Sequence, residues 1–213
     1  MGNYVITVAR GFGSKGREIA HMLADELHIP CYDHQILKMA SDYSGISEQL
    51  FSEVDEKLRA KNIRRLLTGV PAAALLTPDD KEFTSDDNLF NIQAEIIRSQ
   101  AEAESCVIVG KCADYILRER KNVISIYVDA PRACCVKTVM NRLKVDEAEA
   151  HRLIHQIDKY RSDYYHYYTG GLKWTNMNHY DYVINTGRVE KAECIDMLKG
   201  IVKRRFLIQE NLE

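Results

Sequence analysis

Three glycines, Gly11, Gly13 and Gly16, share one short turn with three cations, Arg10, Lys15 and Arg17. Glycine lets successive backbone N–H groups point toward one anion, and a helix starting directly afterwards adds unpaired donors and a positive dipole end. The chemistry this suits is the holding of a phosphate chain. Two frames fit the same residues. Gly11-x-Gly13-x-x-Gly16, with Asp33 at the end of the next short apolar run, has the spacing of a dinucleotide-binding turn and its ribose acid. Gly11-x-x-x-x-Gly16 has the spacing of a nucleoside triphosphate turn, but Arg17 stands where lysine is expected and Glu18 where a metal-holding Ser or Thr is expected. Ser14 and Lys15 belong to the loop in either frame. A plain glycine turn with no ligand is the third reading, and the flanking cations count against it.

A second constellation is Asp158-x-x-Arg161. On a helix these two share a face, so the carboxylate can steady a guanidinium that closes over a transferring phosphoryl group. On spacing alone, an exposed surface pair is the commoner outcome. Lys111 follows an apolar run and Gly110, with Asp114 three residues on; by themselves they read as a solvated helix start. Asp33 suits an acceptor contact or the capping of a helix at His34. Tyr164, Tyr165, Tyr167 and Tyr168 could stack on a base, although tyrosines so clustered more often pack as core with wet hydroxyls.

The elements that must position these groups alternate. Strand-like apolar runs cover 4–9, 29–32, 106–109, 123–128 and 180–185. Helical periods cover 17–27, 34–40, 47–65, 88–104 and 189–206, Ala130-Pro131 opens one through 143, and Asp146 caps another through 161. Residues 68–87, with Gly69, Pro71, Pro78 and an acidic tail, read as a mobile connection. Alternation of this kind predicts an α/β protein whose parallel sheet is covered on both faces and binds ligands at the carboxyl ends of its strands.

A length of 213 residues suits one domain, 1–213. The 29 basic and 31 acidic residues nearly cancel, which leaves no broad basic field for a nucleic-acid backbone. No apolar stretch reaches membrane-spanning length and no secretory leader is evident, so a cytoplasmic location is expected. The six cysteines contain no C-x-x-C pair and read as reduced thiols, and the seven histidines suggest no metal-ligand set. The 189–206 helix is a candidate surface for self-association.

The chain resembles the cytidylate kinase-like family of P-loop nucleoside monophosphate kinases. The resemblance runs in order through Gly13-Ser14-Lys15-Gly16-Arg17-Glu18-Ile19-Ala20, Tyr32-Asp33, Val107-Ile108-Val109-Gly110-Lys111, Ala130-Pro131, Asp158-Lys159-Tyr160-Arg161, the paired tyrosines, Trp174, and Tyr180-Asp181 with Asn185-Thr186. It implies a three-layer α/β/α P-loop kinase-like fold with a helical lid over about 146–178. It also implies ATP and magnesium as cofactors, and phosphoryl transfer to a nucleoside monophosphate, CMP or dCMP first. By that resemblance Gly11, Gly13, Ser14, Lys15, Gly16 and Arg17 hold ATP; Arg17, Arg161 and Asp158 serve the transfer; Asp33, Lys111 and Asp114 face the acceptor.

Three departures weaken the expectation of turnover. Glu18 replaces the metal-holding hydroxyl and leaves the metal ligands unassigned. Cys135 stands where related kinases resemble an arginine, and the lid keeps only Arg161 and Arg152 of a basic set. A nucleotide-binding sensor that does not turn over is therefore the second expectation, and an NAD(P)-linked oxidoreductase, resting only on the glycine spacing and Asp33, the third.

Overall fold

The computed structural model describes residues 2–51 and 86–207. Within them five strands, β1 Val5–Arg10, β2 Cys31–Tyr32, β3 Cys106–Val109, β4 Val123–Asp129 and β5 Tyr182–Asn185, form one parallel sheet in the order β2-β3-β1-β4-β5. The helices are α1 Gly16–Leu27, α2 Gln35–Ser44, α3 Asp86–Ala103, α4 Ala113–Ile116, α5 Arg132–Leu143, α6 Glu147–Tyr168 and α7 Lys191–Val202. The helical period read over 47–65 and the connection read over 68–87 lie outside the described residues, except at their ends; Asp86 and Asp87 open α3.

β1, β3 and β4 are mostly apolar because both their faces are covered, and their period of two divides the core into layers. Val5 and Ala9 of β1, Cys106 and Ile108 of β3, and Val123 and Tyr127 of β4 face a cluster that includes Ile36, Leu89, Ile97 and the tyrosines of α6. Ile6 and Val8, Val107 and Val109, and Ile124, Ile126 and Val128 face the other way, onto Ile19, Leu23, Ile195 and Leu198 of α1 and α7. Ile195 and Leu198 of α7 thus pack within the chain, and Phe206 beyond it stacks on Tyr4 at 5.1 Å between centroids.

A third, smaller cluster joins α5 to α6 through Cys135, Val136, Val139, Ala150 and Ile154, with Phe12 of the glycine turn against it. The far end of α6 belongs instead to the main core. Phe90 stacks on Tyr168 at 3.9 Å, and the hydroxyls of Tyr167 and Tyr168 donate to Asp87 and to the Asp86 carbonyl. Tyr164 and Tyr165 are buried in the core, as so close a cluster of tyrosines favours, and Tyr168 packs partly buried against it.

The strand order decides between the two glycine frames. In a dinucleotide-binding fold β2 lies beside β1. Here β3 lies beside β1 and β2 is outermost, so the oxidoreductase reading loses its structural basis.

Candidate functional site

The loop Gly11–Lys15 leaves the carboxyl end of the central strand and closes on itself. Ser14 is fully buried; its hydroxyl donates to the Gly11 carbonyl at 2.8 Å and accepts from the Gly16 N–H at 3.3 Å. Its side chain therefore shapes the loop from beneath. Just past β5, Thr186 Oγ1 donates to the Ser14 carbonyl at 2.7 Å. Gly13 has φ +87°, and a Cβ there would meet the Cys135 carbonyl oxygen at 2.7 Å, so only glycine allows α5 to approach the loop this closely. Cys135, expected by resemblance to stand in an arginine's place over the nucleotide, is buried against that glycine, and burial raises its thiol to about 11.

On one side of the loop lies an open cleft of 520 Å³ bordered by Gly13, Lys15, Lys137, Asn141, Arg142 and Thr186. Lys15, left-handed at φ 64°, is exposed at its rim. Glu18 also borders the cleft, but its carboxylate pairs with Lys191 Nζ at 3.0 Å, which offsets the repulsion expected of it toward a phosphate. The guanidinium of Arg142 sits over the Phe12 ring at 4.9 Å, and that of Arg161 at 5.7 Å. Lys137, Asn141 and Arg142 were not singled out from sequence.

On the other side, at the ends of β1, β2 and β3, a charged cluster assembles Arg10, Arg17, Asp33, Lys111, Asp158 and Arg161. Arg17 Nε lies 2.5 Å from Asp33 Oδ2, an ion pair whose angle falls short of a hydrogen bond. Asp33 is buried and does not cap α2. Arg17 faces this side of the loop, and no contact places it over the glycines. Asp158 Oδ1 accepts the Phe12 N–H at 2.8 Å, while Arg161 Nη1 donates to the Arg10 carbonyl at 2.9 Å and reaches Asp158 at 3.4 Å. The Asp158–Arg161 pair is therefore folded onto the loop and is no surface pair.

Three consecutive residues, Gly110, Lys111 and Cys112, are left-handed, with φ 74°, 58° and 54°. Two of them pay the side-chain strain of that region, the kind of cost that clusters at functional sites. Burial, with Arg10 and Arg161 nearby, pushes the Lys111 ammonium down to about 7. Burial, again with Arg10 nearby, lowers Arg161 to about 9. Asp114 does not join the cluster. It turns into the core, where it accepts from the Tyr165 hydroxyl at 2.7 Å, and burial raises its carboxyl.

Asp129, at the end of β4, was also missed. Its carboxylate lies so near Gly11 that a Cβ there would meet Oδ1 at 2.6 Å, and burial raises its pKa. Among the described residues no three acidic, histidine or cysteine groups gather as a metal site. A magnesium ion needs less: it keeps several waters and takes one or two carboxylates besides phosphate oxygens. Asp129, at the loop's edge, fits that requirement.

A glycine loop at the end of the middle strand of a five-stranded parallel sheet, flanked by helices and overlaid by an arginine-bearing helix, is the fold of the P-loop kinases. The family can be named more closely: the chain belongs to the cytidylate kinase-like family, whose model matches residues 5–188. Among solved structures it is similar to an uncharacterized protein from Eubacterium ventriosum, with 27% identity, TM-score 0.67, and 94% of this chain and 99% of that one covered. Shikimate kinase from Bacteroides thetaiotaomicron shares the fold at 12% identity and TM-score 0.54, with 94% and 98% covered. A Thermus thermophilus protein does so at 15% and 0.52, with 96% and 98% covered. No curated protein matches the chain. No described helix is long and apolar enough to cross a membrane.

Proposed function

We propose that the protein transfers the γ-phosphoryl group of ATP to a nucleoside monophosphate, with CMP or dCMP the acceptor its family suggests. The observation that carries this reading is the pair of regions on either side of the loop: an open cleft edged by Lys15, Lys137 and Arg142, and a cationic cluster at the ends of β1 and β3. Donor and acceptor held there meet over the glycine turn. An acceptor phosphate oxygen forms the new bond to the γ-phosphorus as the bond to the bridging oxygen breaks, and ADP leaves. The reaction asks for alignment and charge neutralisation, with no nucleophilic side chain from the protein.

In this reading the turn from Gly11 to Gly16 offers backbone N–H groups to the donor phosphates, with Lys15 beside them. Arg161 neutralises charge on the transferring group, and Asp158 holds it in place. Arg17, steadied by Asp33, faces the acceptor. Asp129 would hold magnesium, which supplies positive charge to the phosphate oxygens when bound. Segment 146–178 acts as lid only in its first part; Tyr164, Tyr165 and Trp174 anchor the remainder in the core.

The test is ADP release from ATP and magnesium with CMP, dCMP, UMP, AMP and GMP, beside Arg161→Ala. Acceptor-dependent turnover that falls on the order of a thousandfold in the variant is expected, the scale of an arginine contact to a transferring phosphoryl group. ATP binding without turnover for any acceptor would instead support a sensor, a reading favoured by one observation: Asp158 already occupies the Phe12 N–H.

A further inference from the structure

Arg10 closes β1 immediately before the glycine turn, and the roles above assign nothing to its side chain. Its Nε is buried without a hydrogen-bond partner. Burial lowers its pKa; the Asp33 carboxylate pulls back against that, Arg17 lowers it again, and Asp158 adds a smaller pull upward. A guanidinium carries five donors in a fixed fork, and leaving a buried charge unpaired is strongly unfavourable.

The chain nevertheless clears a path for it. At Gly16 a Cβ would come within 2.5 Å of the Arg10 Cβ, and at Gly110 a Cβ would collide with Arg10 Nη1. Two glycines on two different elements thus admit one side chain, which passes over the end of β3 toward Lys111. Arg161 approaches the same place from α6 through the Arg10 carbonyl. The groups that face Arg10 there are Arg17, Lys111 and Arg161, with Asp33 and Asp158 opposing them. Among these groups the cations outnumber the carboxylates, which suits an anionic ligand.

We infer that Arg10 is the central ligand of a dianion site at the ends of β1 and β3, and that its ligand is the phosphate monoester of the acceptor. Calling that ligand the acceptor rests on the kinase reading; the anion site itself does not. Fork geometry matters more than charge here, because two parallel N–H groups match two phosphate oxygens. Arg10 is accordingly a residue whose presence costs stability and supplies binding.

The experiment uses the full chain, with Arg10→Gln and Arg10→Lys, and needs no turnover. Melting temperatures are read without ligand, and affinities by calorimetry for inorganic phosphate, CMP, cytidine and ATP. Expected is wild-type binding of phosphate and CMP, with cytidine far weaker. Arg10→Gln should melt at or above the wild type without ligand, lose CMP affinity by about tenfold or more, and keep ATP affinity within about twofold. Arg10→Lys should fall between. An unliganded Arg10→Gln protein that melts lower or fails to fold, CMP affinity unchanged in both variants, a loss confined to ATP, or a wild type that binds neither phosphate nor CMP would each overturn the inference. Arg10-dependent CMP binding without ADP release would keep it and remove the kinase reading. Full turnover in Arg10→Gln would do the reverse.

Discussion

Lys111 carries the clearest pH signature of the site. Its pKa of about 7 lies well below the ordinary 10.5 of a lysine because burial and the neighbouring Arg10 both disfavour its charged form. A bound phosphate favours that charged form. Affinity for a phosphate monoester should therefore fall as pH rises through about 7, and binding near neutrality should take up a proton. The folding contribution has the opposite sign. Between about 7 and 10.5 the unfolded chain binds the extra proton, so the share of stability owed to Lys111 grows with pH across that window. Calorimetry of CMP binding at pH 6 and 9, in buffers of different ionisation enthalpy, should show both the loss of affinity and the proton uptake. Lys111→Met should flatten the profile, and a slope that survives in that variant would assign the titration to another group.

At the scale of elements, α4 and α6 are joined by one buried polar contact, Tyr165 to Asp114. Removing the hydroxyl with Tyr165→Phe leaves a buried carboxyl without that donor, a loss of about 1 to 3 kcal/mol by general experience. Denaturant unfolding should show a fall of that size, and a change below about 0.5 kcal/mol would mean that water replaces the hydroxyl. The same pair shows where sequence reading stops. The glycine turn, its strand and its helix were legible because they are local: β-branched residues, then glycines, then a helical period. The alternating elements gave the parallel sheet, and the resemblance gave the fold family. Asp114 was placed toward the acceptor because spacing shows only that it follows Lys111, whereas its direction is set by Tyr165, distant in sequence. Arg10 was noticed as a charge beside the turn, but its path depends on the empty side of Gly110. Asp129 had a signal, an acid closing an apolar strand, and the rule that ligands gather at carboxyl strand ends could have found it. Lys137, Asn141 and Arg142 had none, because they reach the cleft only through the packing of α5 on Gly13.

The whole molecule divides unevenly around the loop. The sheet with α1, α3 and α7 has two large cores, whereas α5 and the first turns of α6 share only the small cluster around Val139 and Ile154. Polar ties between these two helices are also few; Arg132 Nη2 donates to the His151 carbonyl at 2.6 Å. Few buried contacts mean a low cost of local opening. Contacts holding this pair down on the loop include Asp158 to the Phe12 N–H and Arg161 to the Arg10 carbonyl, and a donor phosphate entering the turn competes for the first of them. The pair should therefore move as one body about a hinge in α6 ahead of the anchored Tyr164. Hydrogen exchange should be fastest, among the described helices, in Arg132–Leu143 and the first half of Glu147–Tyr168. It should slow there on addition of ATP and CMP together, while Tyr164 to Tyr168 stays unchanged. Protection spread evenly along Glu147–Tyr168 would make that helix a rigid wall of the site and leave loop rearrangement as the only closing motion.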